Sequence, residues 1–594
     1  MLTSPRGLRQ RRGLLRWMSA LTFAILIFSV GAGCQSGEAG ALHSELPSPT
    51  ALAPTKTAVP TPTPTITPYP TPTPHPTPLP TIVIPMLTQV VPTVTTPEPH
   101  PEVWSLPERV VPHPFGVEIH FTRASRQELD YLAAGGFKWV RMDLFWHTVE
   151  KTPGRYDFSE YDALVASMRQ RGIRIMLILD YGNPLYDHGF PPTSPGGKAA
   201  FARFAAVAAA RYRDAGILWD LWNEPNLDHF WPPKADATQY GQLALKAATA
   251  IRHADPGALI AGPAVCGYEW DYWHTLGRMG LFTKVDALSV HSYGVETPED
   301  VIAPYLQLRS LIDQYNPLWK VPVISGEWGF ASTEGGTTEV QQAQYLARQW
   351  LINLSHDIDL NIWYDWRDDG TDPTNPEHNF GTVRHDYGAK PAYRAAQTLA
   401  TTLSGYRFLR RIPLARSSDY LLLFQREELV ALAAWTAASA HTIVLPITVD
   451  EVNVVEMTGQ TQSLVGEGEE LALQLSHSPR YLHFRPDQAP TLLGGWGPED
   501  TINTLRHHEE PTIPIVFERY VGIPFFGELQ IWADGAPRGE LAVNASPMVR
   551  EVVRVPLRTE NLRGTVPAEV RLVLDDPAMA PLHSAAIWIQ IPSP

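Results

Sequence analysis

Cysteine is almost missing from this chain: two in 594 residues, Cys34 and Cys266. That excludes a disulfide-stapled scaffold and a Cys-x-x-Cys metal or redox site, so stability must come from packing. Positive charge is also scarce. Lys and Arg total 47 against 62 Asp and Glu, for a net charge of −15 and a pI near 5.7. A nucleic-acid-binding role lacks the basic footprint it needs. No His-Glu-x-x-His helix, phosphate loop or Gly-x-Ser-x-Gly elbow occurs, and no Gly-rich dinucleotide loop follows the first strand-like run. No cofactor and no metal are therefore expected. Asp368-Asp369-Gly-Thr-Asp372 is acidic, but its spacing does not match an EF-hand loop, and a solvated turn is the better reading.

What is present begins with an export signal over residues 1–34. Arg6, Arg9, Arg11, Arg12 and Arg16 precede an apolar stretch from Trp17 to Val30, then Gly31-Ala32-Gly33 before Cys34. The arrangement resembles a bacterial lipoprotein signal with Cys34 as the lipidated residue, although Gly31 replaces the usual large aliphatic. An ordinary cleaved signal and an uncleaved anchor are the alternatives. Residues 35–102 hold alternating Pro and Thr, from Pro60-Thr-Pro-Thr-Pro-Thr to Pro70-Thr-Pro-Thr-Pro-His-Pro. Such a composition buries no core and favours polyproline geometry, a stalk reaching on the order of 150 Å for fifty residues. The expectation is an exported, surface-tethered monomer that meets the membrane only through its N-terminus.

From residue 103 to 405 short apolar runs alternate with amphipathic helical stretches. Candidate strands are Phe115 to His120, Trp139 to Asp143, Arg174 to Asp180, Ile217 to Trp222, Leu259 to Gly262, Ala287 to His291, Val321 to Ser325 and Asn361 to Tyr364. Eight strand-helix units fit a (β/α)8 barrel, an α/β fold whose site gathers at the C-terminal strand ends. Past residue 405 β-rich runs take over. They suggest a small β-sandwich over 406–487 and a second β-rich domain over 488–594, in which Trp496, Trp532 and Trp588 read as core aromatics rather than a sugar platform.

Two glutamates stand at strand ends in that frame. Glu224 closes Leu221-Trp-Asn-Glu-Pro-Asn after the fourth strand, and Glu327 closes Val321-Pro-Val-Ile-Ser-Gly-Glu-Trp-Gly on the seventh. Cleaving a glycosidic bond needs a proton for the leaving oxygen and a negative group beside the developing oxocarbenium ion. The pair can supply both, with Glu327 as nucleophile and Glu224 as acid/base in a double displacement on a carbohydrate.

Trp139-Val-Arg-Met-Asp-Leu-Phe-Trp, Pro153-Gly-Arg-Tyr-Asp-Phe, Leu221-Trp-Asn-Glu-Pro-Asn, Val290-His-Ser-Tyr and Ser325-Gly-Glu-Trp together make residues 113 to 405 resemble the clan A glycoside hydrolases. Family 5 cellulases and mannanases and family 39 xylosidase-like enzymes are the members in view, and the following sandwich resembles the accessory domain of family 39. The resemblance implies that Glu224 is the acid/base and Glu327 the nucleophile, with Asn223 on the sugar 2-hydroxyl. It implies Arg141 beside Glu327 to hold it ionised, His291 and Tyr293 orienting glutamates and substrate, and Trp363 as the stacking floor. Trp146, Tyr186, Trp231, Trp270 and Trp328 are further cleft candidates. The chain departs from many clan members after strand 3, where Leu179-Asp180-Tyr181 stands in place of a His. A catalytically silent carbohydrate-binding protein on the same scaffold, or a transglycosylase using the same residues, remains the alternative.

Overall fold

In the computed structural model, residues 104–316, 320–412, 414, 416–427 and 429–489 are described, together with a set of mainly strand segments between 496 and 591. The signal segment, Cys34 and the Pro/Thr stalk lie outside the described residues. Among those described, no helix is long and apolar enough to cross a membrane.

Eight parallel strands close into a barrel: β1 (Phe115–Glu118), β2 (Trp139–Phe145), β3 (Arg174–Asp180), β4 (Leu218–Leu221), β5 (Leu259–Cys266), β6 (Ala287–His291), β7 (Val323–Trp328) and β8 (Ile358–Trp363). Closure is made by β1, which pairs with β2 through Gly116 and Trp139 and with β8 through Gly116 and Ile362. A helix follows each strand: α1 (Arg126–Ala134), α2 (Ser159–Arg169), α3 (Pro195–Arg211), α4 (Ala237–Ala254), α5 (Trp270–Arg278), α6 (Ile302–Tyr315), α7 (Glu339–Ser355) and α8 (Pro391–Thr402). All eight expected strands are present. Of the helices, α5 and α8 were not foreseen, because Trp270-Asp-Tyr-Trp-His and the Ala-rich Pro391–Thr402 read poorly as amphipathic stripes.

Strand alternation sorts the side chains into two layers. Trp139, Met176, Leu218, Leu259, Ala261, Ala287, Ile324, Leu360 and Ile362 fill the lower lumen. Their neighbours along the strands, such as Val117, Leu177, Trp219 and Trp363, face the helices in one large outer core. Apolar plugging of the lower lumen leaves polar side chains only toward the C-terminal strand ends. Helix entry is set by side-chain caps, Ser125 on Glu128 N, Ser194 on Gly197 N, Asp236 on Gln239 N, and a Thr338–Gln341 capping box.

Beyond the barrel, antiparallel strands between Arg407 and Phe484 form a six-stranded and a two-stranded sheet around an aliphatic core that includes Leu421, Leu432, Val454 and Leu482. This sandwich is joined to the barrel by a buried polar seam, where Glu299 accepts from Arg348 and from Trp435 Nε1 at 2.8 Å. The last segments form a three-stranded and a five-stranded sheet around Ile513, Leu529, Ile531 and Val570. Trp532 is not in that core. It is half-buried, with Arg571 4.4 Å over its ring, because it alternates onto the face opposite Leu529 and Ile531. The side chains of Trp496 and Trp588 lie outside the described ones.

Candidate active site

Glu224 is placed by a loop that the chain holds in an unusual backbone shape. Trp222 and Glu224 both have positive φ, 77° and 42°, left-handed conformations that a non-Gly residue keeps only when its surroundings over-determine them. The surroundings do so. Tyr240 OH donates to Leu221 O at 2.7 Å, Trp222 Nε1 to Phe230 O at 3.1 Å, Glu224 N to Ala264 O at 3.0 Å and Tyr272 OH to Pro225 O at 3.0 Å. The Asn226 amide bridges to both backbone groups of Cys266 at 2.9 Å.

Glu327 is aimed by a different device. The β6–β7 register slips between Val290 and His291 and the β7–β8 register between Ser325 and Trp328, so β7 bulges at Gly326-Glu327. Gly326 permits it: a Cβ there would lie 2.1 Å from Ser289 Oγ.

Between the two glutamates sits Arg141, 0% exposed. Its Nη1 donates to Glu118 Oε2 at 2.8 Å and Glu327 Oε2 at 2.6 Å, and its Nη2 to Asn223 Oδ1 at 2.7 Å. Asp220 Oδ2 stands 3.5 Å away. One rigid guanidinium thus spans β1, β4 and β7. Tyr293 OH donates to Glu327 Oε1 at 2.8 Å, so both oxygens of that glutamate are held.

His291 Nδ1 is 2.9 Å from Glu224 Oε1, and its Nε2 is 3.4 Å from Arg141 Nη2. Burial and then the Arg141 charge push His291 well below the ordinary histidine range, so the ring is neutral. An arginine can only donate, which makes Nε2 the acceptor and assigns the proton to Nδ1. Nδ1–H then donates to Glu224. Burial, followed by the charge of Glu327, raises Glu224 well above the usual carboxylate range, so it keeps its proton where a free glutamate would lose it. With Oε1 held by His291, the acid proton belongs on Oε2. One oxygen of each glutamate and Nδ1 of His291 lie within 4.8 Å of one another.

Glu224, Glu327, Arg141, Asn223, His291 and Tyr293 therefore meet in one buried cluster. Trp363 does not join it. It is fully buried in the outer core, with Nε1 donating to Phe380 O at 3.3 Å, because alternation along β8 turns Leu360, Ile362 and then Tyr364 inward. The aromatic ring at the cleft is Tyr364, half-buried, with its OH 3.4 Å from Glu377. Among the other aromatic candidates, Trp146, Trp231 and Trp328 are buried, while Tyr186 and Trp270 keep partial exposure. Glu118, Asp220, Tyr364 and Glu377 were not singled out from sequence, although the alternation Gly116, Glu118, His120 would have found the first.

On the β1–β8 side, His120 Nδ1 lies 3.1 Å from Asp369 and 3.6 Å from Asp365, an ion-paired trio with three donor atoms within 4.8 Å. The neighbouring acidic run resolves into separate roles. Asp368 pairs with Lys390 at 3.0 Å, and Asp372 closes a turn onto Thr374 N at 2.9 Å.

The crowding of acids has a consequence for stability. Burial, partly offset by Arg141, raises Glu118 from 4.5 to about 8 and Asp220 from 3.8 to about 7. Unfolded, both would release their protons near pH 4. Between there and pH 8 the folded state holds more protons than the unfolded one, so stability falls as pH rises through that window. We expect a Tm several degrees higher at pH 5 than at pH 8.5. Glu118→Gln should flatten the slope, and a Tm that climbs over the window would contradict the burial of these acids.

Comparison with known proteins bears on the same residues. Residues 110–370 match the family model for cellulases of glycosyl hydrolase family 5. A β-xylosidase of Geobacillus stearothermophilus is 32% identical over 168 residues, 25% of this chain and 29% of that protein. The alignable part thus spans under a third of that relative's length. A solved family 39 glycoside hydrolase from the gut symbiont Bacteroides cellulosilyticus WH2 superposes with a TM-score of 0.56 at 25% identity, covering 64% of this chain and 82% of that one. The barrel thus resembles the clan A glycoside hydrolases in sequence and in fold.

Proposed function

We propose that this protein is a retaining glycoside hydrolase that acts on β-linked neutral sugars, with β-xylosides the first substrates to try. The observation that carries the reading is the pair of glutamates with oxygens inside 4.8 Å of each other. Double displacement uses carboxyls about 5–5.5 Å apart, whereas inversion needs about 6.5–9.5 Å to seat a water between them. The β-xylosidase relative supports the choice of sugar.

In the first step Glu327 attacks the anomeric carbon, and the bond to the leaving oxygen breaks as Glu224 delivers its proton. In the second step Glu224, now a carboxylate, takes a proton from water, and that water displaces Glu327 from the sugar. His291 holds Glu224 throughout, and Tyr293 with Arg141 holds Glu327. A sugar in place of water would make the same site a transglycosylase. The basic leader, apolar run and Pro/Thr segment support an exported enzyme tethered through Cys34.

The test is the anomer released first. Proton NMR of aryl β-xyloside hydrolysis should show the β-hemiacetal before mutarotation; first appearance of the α-anomer overturns the double displacement. No turnover across xylosides, glucosides and mannosides would favour a silent binding protein.

A further inference from the structure

A second pair of carboxyls faces the same mouth and takes no part in the mechanism above. Asp143 lies two residues beyond Arg141 on β2, hence on the same inward face, and is half-buried. Asp180 ends β3, where its backbone partner on β2 is Phe145. Asp180 is 0% exposed, and neither of its oxygens has a hydrogen-bond donor from the rest of the protein. What faces them is the carboxyl of Asp143. Burial and then that neighbour raise Asp180 well above the carboxylate range, so the two share a proton at neutral pH.

A buried carboxyl without a donor is costly and uncommon. Its counterparts nearby all have partners: Glu118, Glu224 and Glu327 each accept at 2.9 Å or less. Asp180 is therefore satisfied by something that is not part of the protein.

Position says what that is. In the proposed reaction the anomeric carbon sits between Glu224 on β4 and Glu327 on β7. The 2-hydroxyl beside it falls to Asn223, next to Glu224, whose Nδ2 donates to Tyr181 OH at 3.1 Å and so ties β4 to the end of β3. One carbon further round the ring, the next hydroxyl points away from the glutamates toward β3 and β2, where Asp180 and Asp143 stand.

We infer that Asp143 and Asp180 together receive the 3-hydroxyl of the sugar in the reacting subsite, so that this sugar must carry a free hydroxyl at that carbon. The inference rests on the reading of the cleft as a glycosidase site and narrows its substrate class. A sugar whose 3-oxygen is methylated, sulfated or glycosidically linked loses the donor and brings bulk or like charge against two acids. Chains whose reacting residue is extended through O3 are therefore rejected, while extension through another oxygen is compatible.

The experiment is calorimetric titration with phenyl 1-thio-β-D-xylopyranoside, the corresponding glucoside and mannoside, and the 3-deoxy and 3-O-methyl analogues of the tightest binder. These thioglycosides resist hydrolysis, so binding is read whether or not turnover occurs. Wild-type protein should bind the 3-deoxy analogue at least about 30-fold more weakly than the parent, since a site built around a hydroxyl rejects the compound lacking it. The 3-O-methyl analogue should not bind. In Asp180→Asn and, separately, Asp143→Ala protein, the parent should weaken and the gap to the 3-deoxy compound should shrink to under about fivefold.

Equal binding of parent and 3-deoxy compound by the wild type overturns the assignment, and so does an equal loss for both ligands in the variants, which is what a purely structural role gives. The wild-type comparison stands even if a variant fails to fold. Binding with the expected gap but no turnover of any aryl glycoside overturns the hydrolase reading and leaves the pair assigned. Binding of none of the sugars overturns both.

Discussion

Glu327→Gln lowers kcat on an activated aryl β-glycoside by about 10⁴-fold or more, with folding and ligand binding retained. The amide is nearly isosteric, so the bulge at Gly326-Glu327 and the hydrogen bond from Tyr293 can persist. What is lost is the atom that attacks. A 10⁴-fold loss corresponds to about 5.4 kcal/mol of transition-state stabilisation, the scale expected for removing a nucleophile rather than a positioning group.

Glu224→Gln behaves differently, and the contrast is diagnostic. A good leaving group needs little protonation, so the first step survives while the second, which needs a base, stalls. A burst of phenolate followed by slow turnover is expected, with external azide accelerating the slow phase. The pH profile should change as well. In the wild type activity falls as pH rises through the raised pKa of Glu224, since the acid must carry its proton to deliver it. That basic limb should vanish in the Gln variant. Wild-type rates in either variant would remove both glutamates from the chemistry.

Arg141 carries the second large effect. Arg141→Met leaves Glu118, Asp220 and Glu327 without their shared cation at positions that exclude water, and removing one member of a buried charged group costs about 3–5 kcal/mol. Urea unfolding should show a midpoint lowered accordingly. Arg141→Lys keeps the charge but not the planar fork, and one ammonium cannot hold Glu118, Glu327 and Asn223 in the geometry the guanidinium spans. It should recover much of the stability and little of the activity. If the Lys variant kept full kcat, Arg141 would be a structural counter-ion and nothing more.

Much of this site was legible in the chain, and the boundary of legibility has physical causes. Asn223, Glu224 and Glu327 stand in short apolar runs that end in polar residues, and such runs read as strands opening into loops. Trp363 shows where that reading stops. A single residue's face depends on the phase of its strand, and the phase of β8 is fixed by pairing with β1 and β7. Shifted by one position, the inward aromatic is Tyr364. Glu118 and Asp220 were missed because a lone acid in an apolar strand carries no mark of what it will meet.

Sequence alone determined the plan of the molecule: a barrel of eight strand-helix units, β-rich domains after it, and two glutamates at opposite strand ends. These follow from periodicity, composition and local turn chemistry, which act over neighbours in the chain. Tertiary structure decided which carboxyls share one arginine, which imidazole nitrogen carries its proton, and which acids are left without a donor. Those depend on distances across the barrel, between residues as far apart as Glu118 and Glu327, and on the burial that only closure creates.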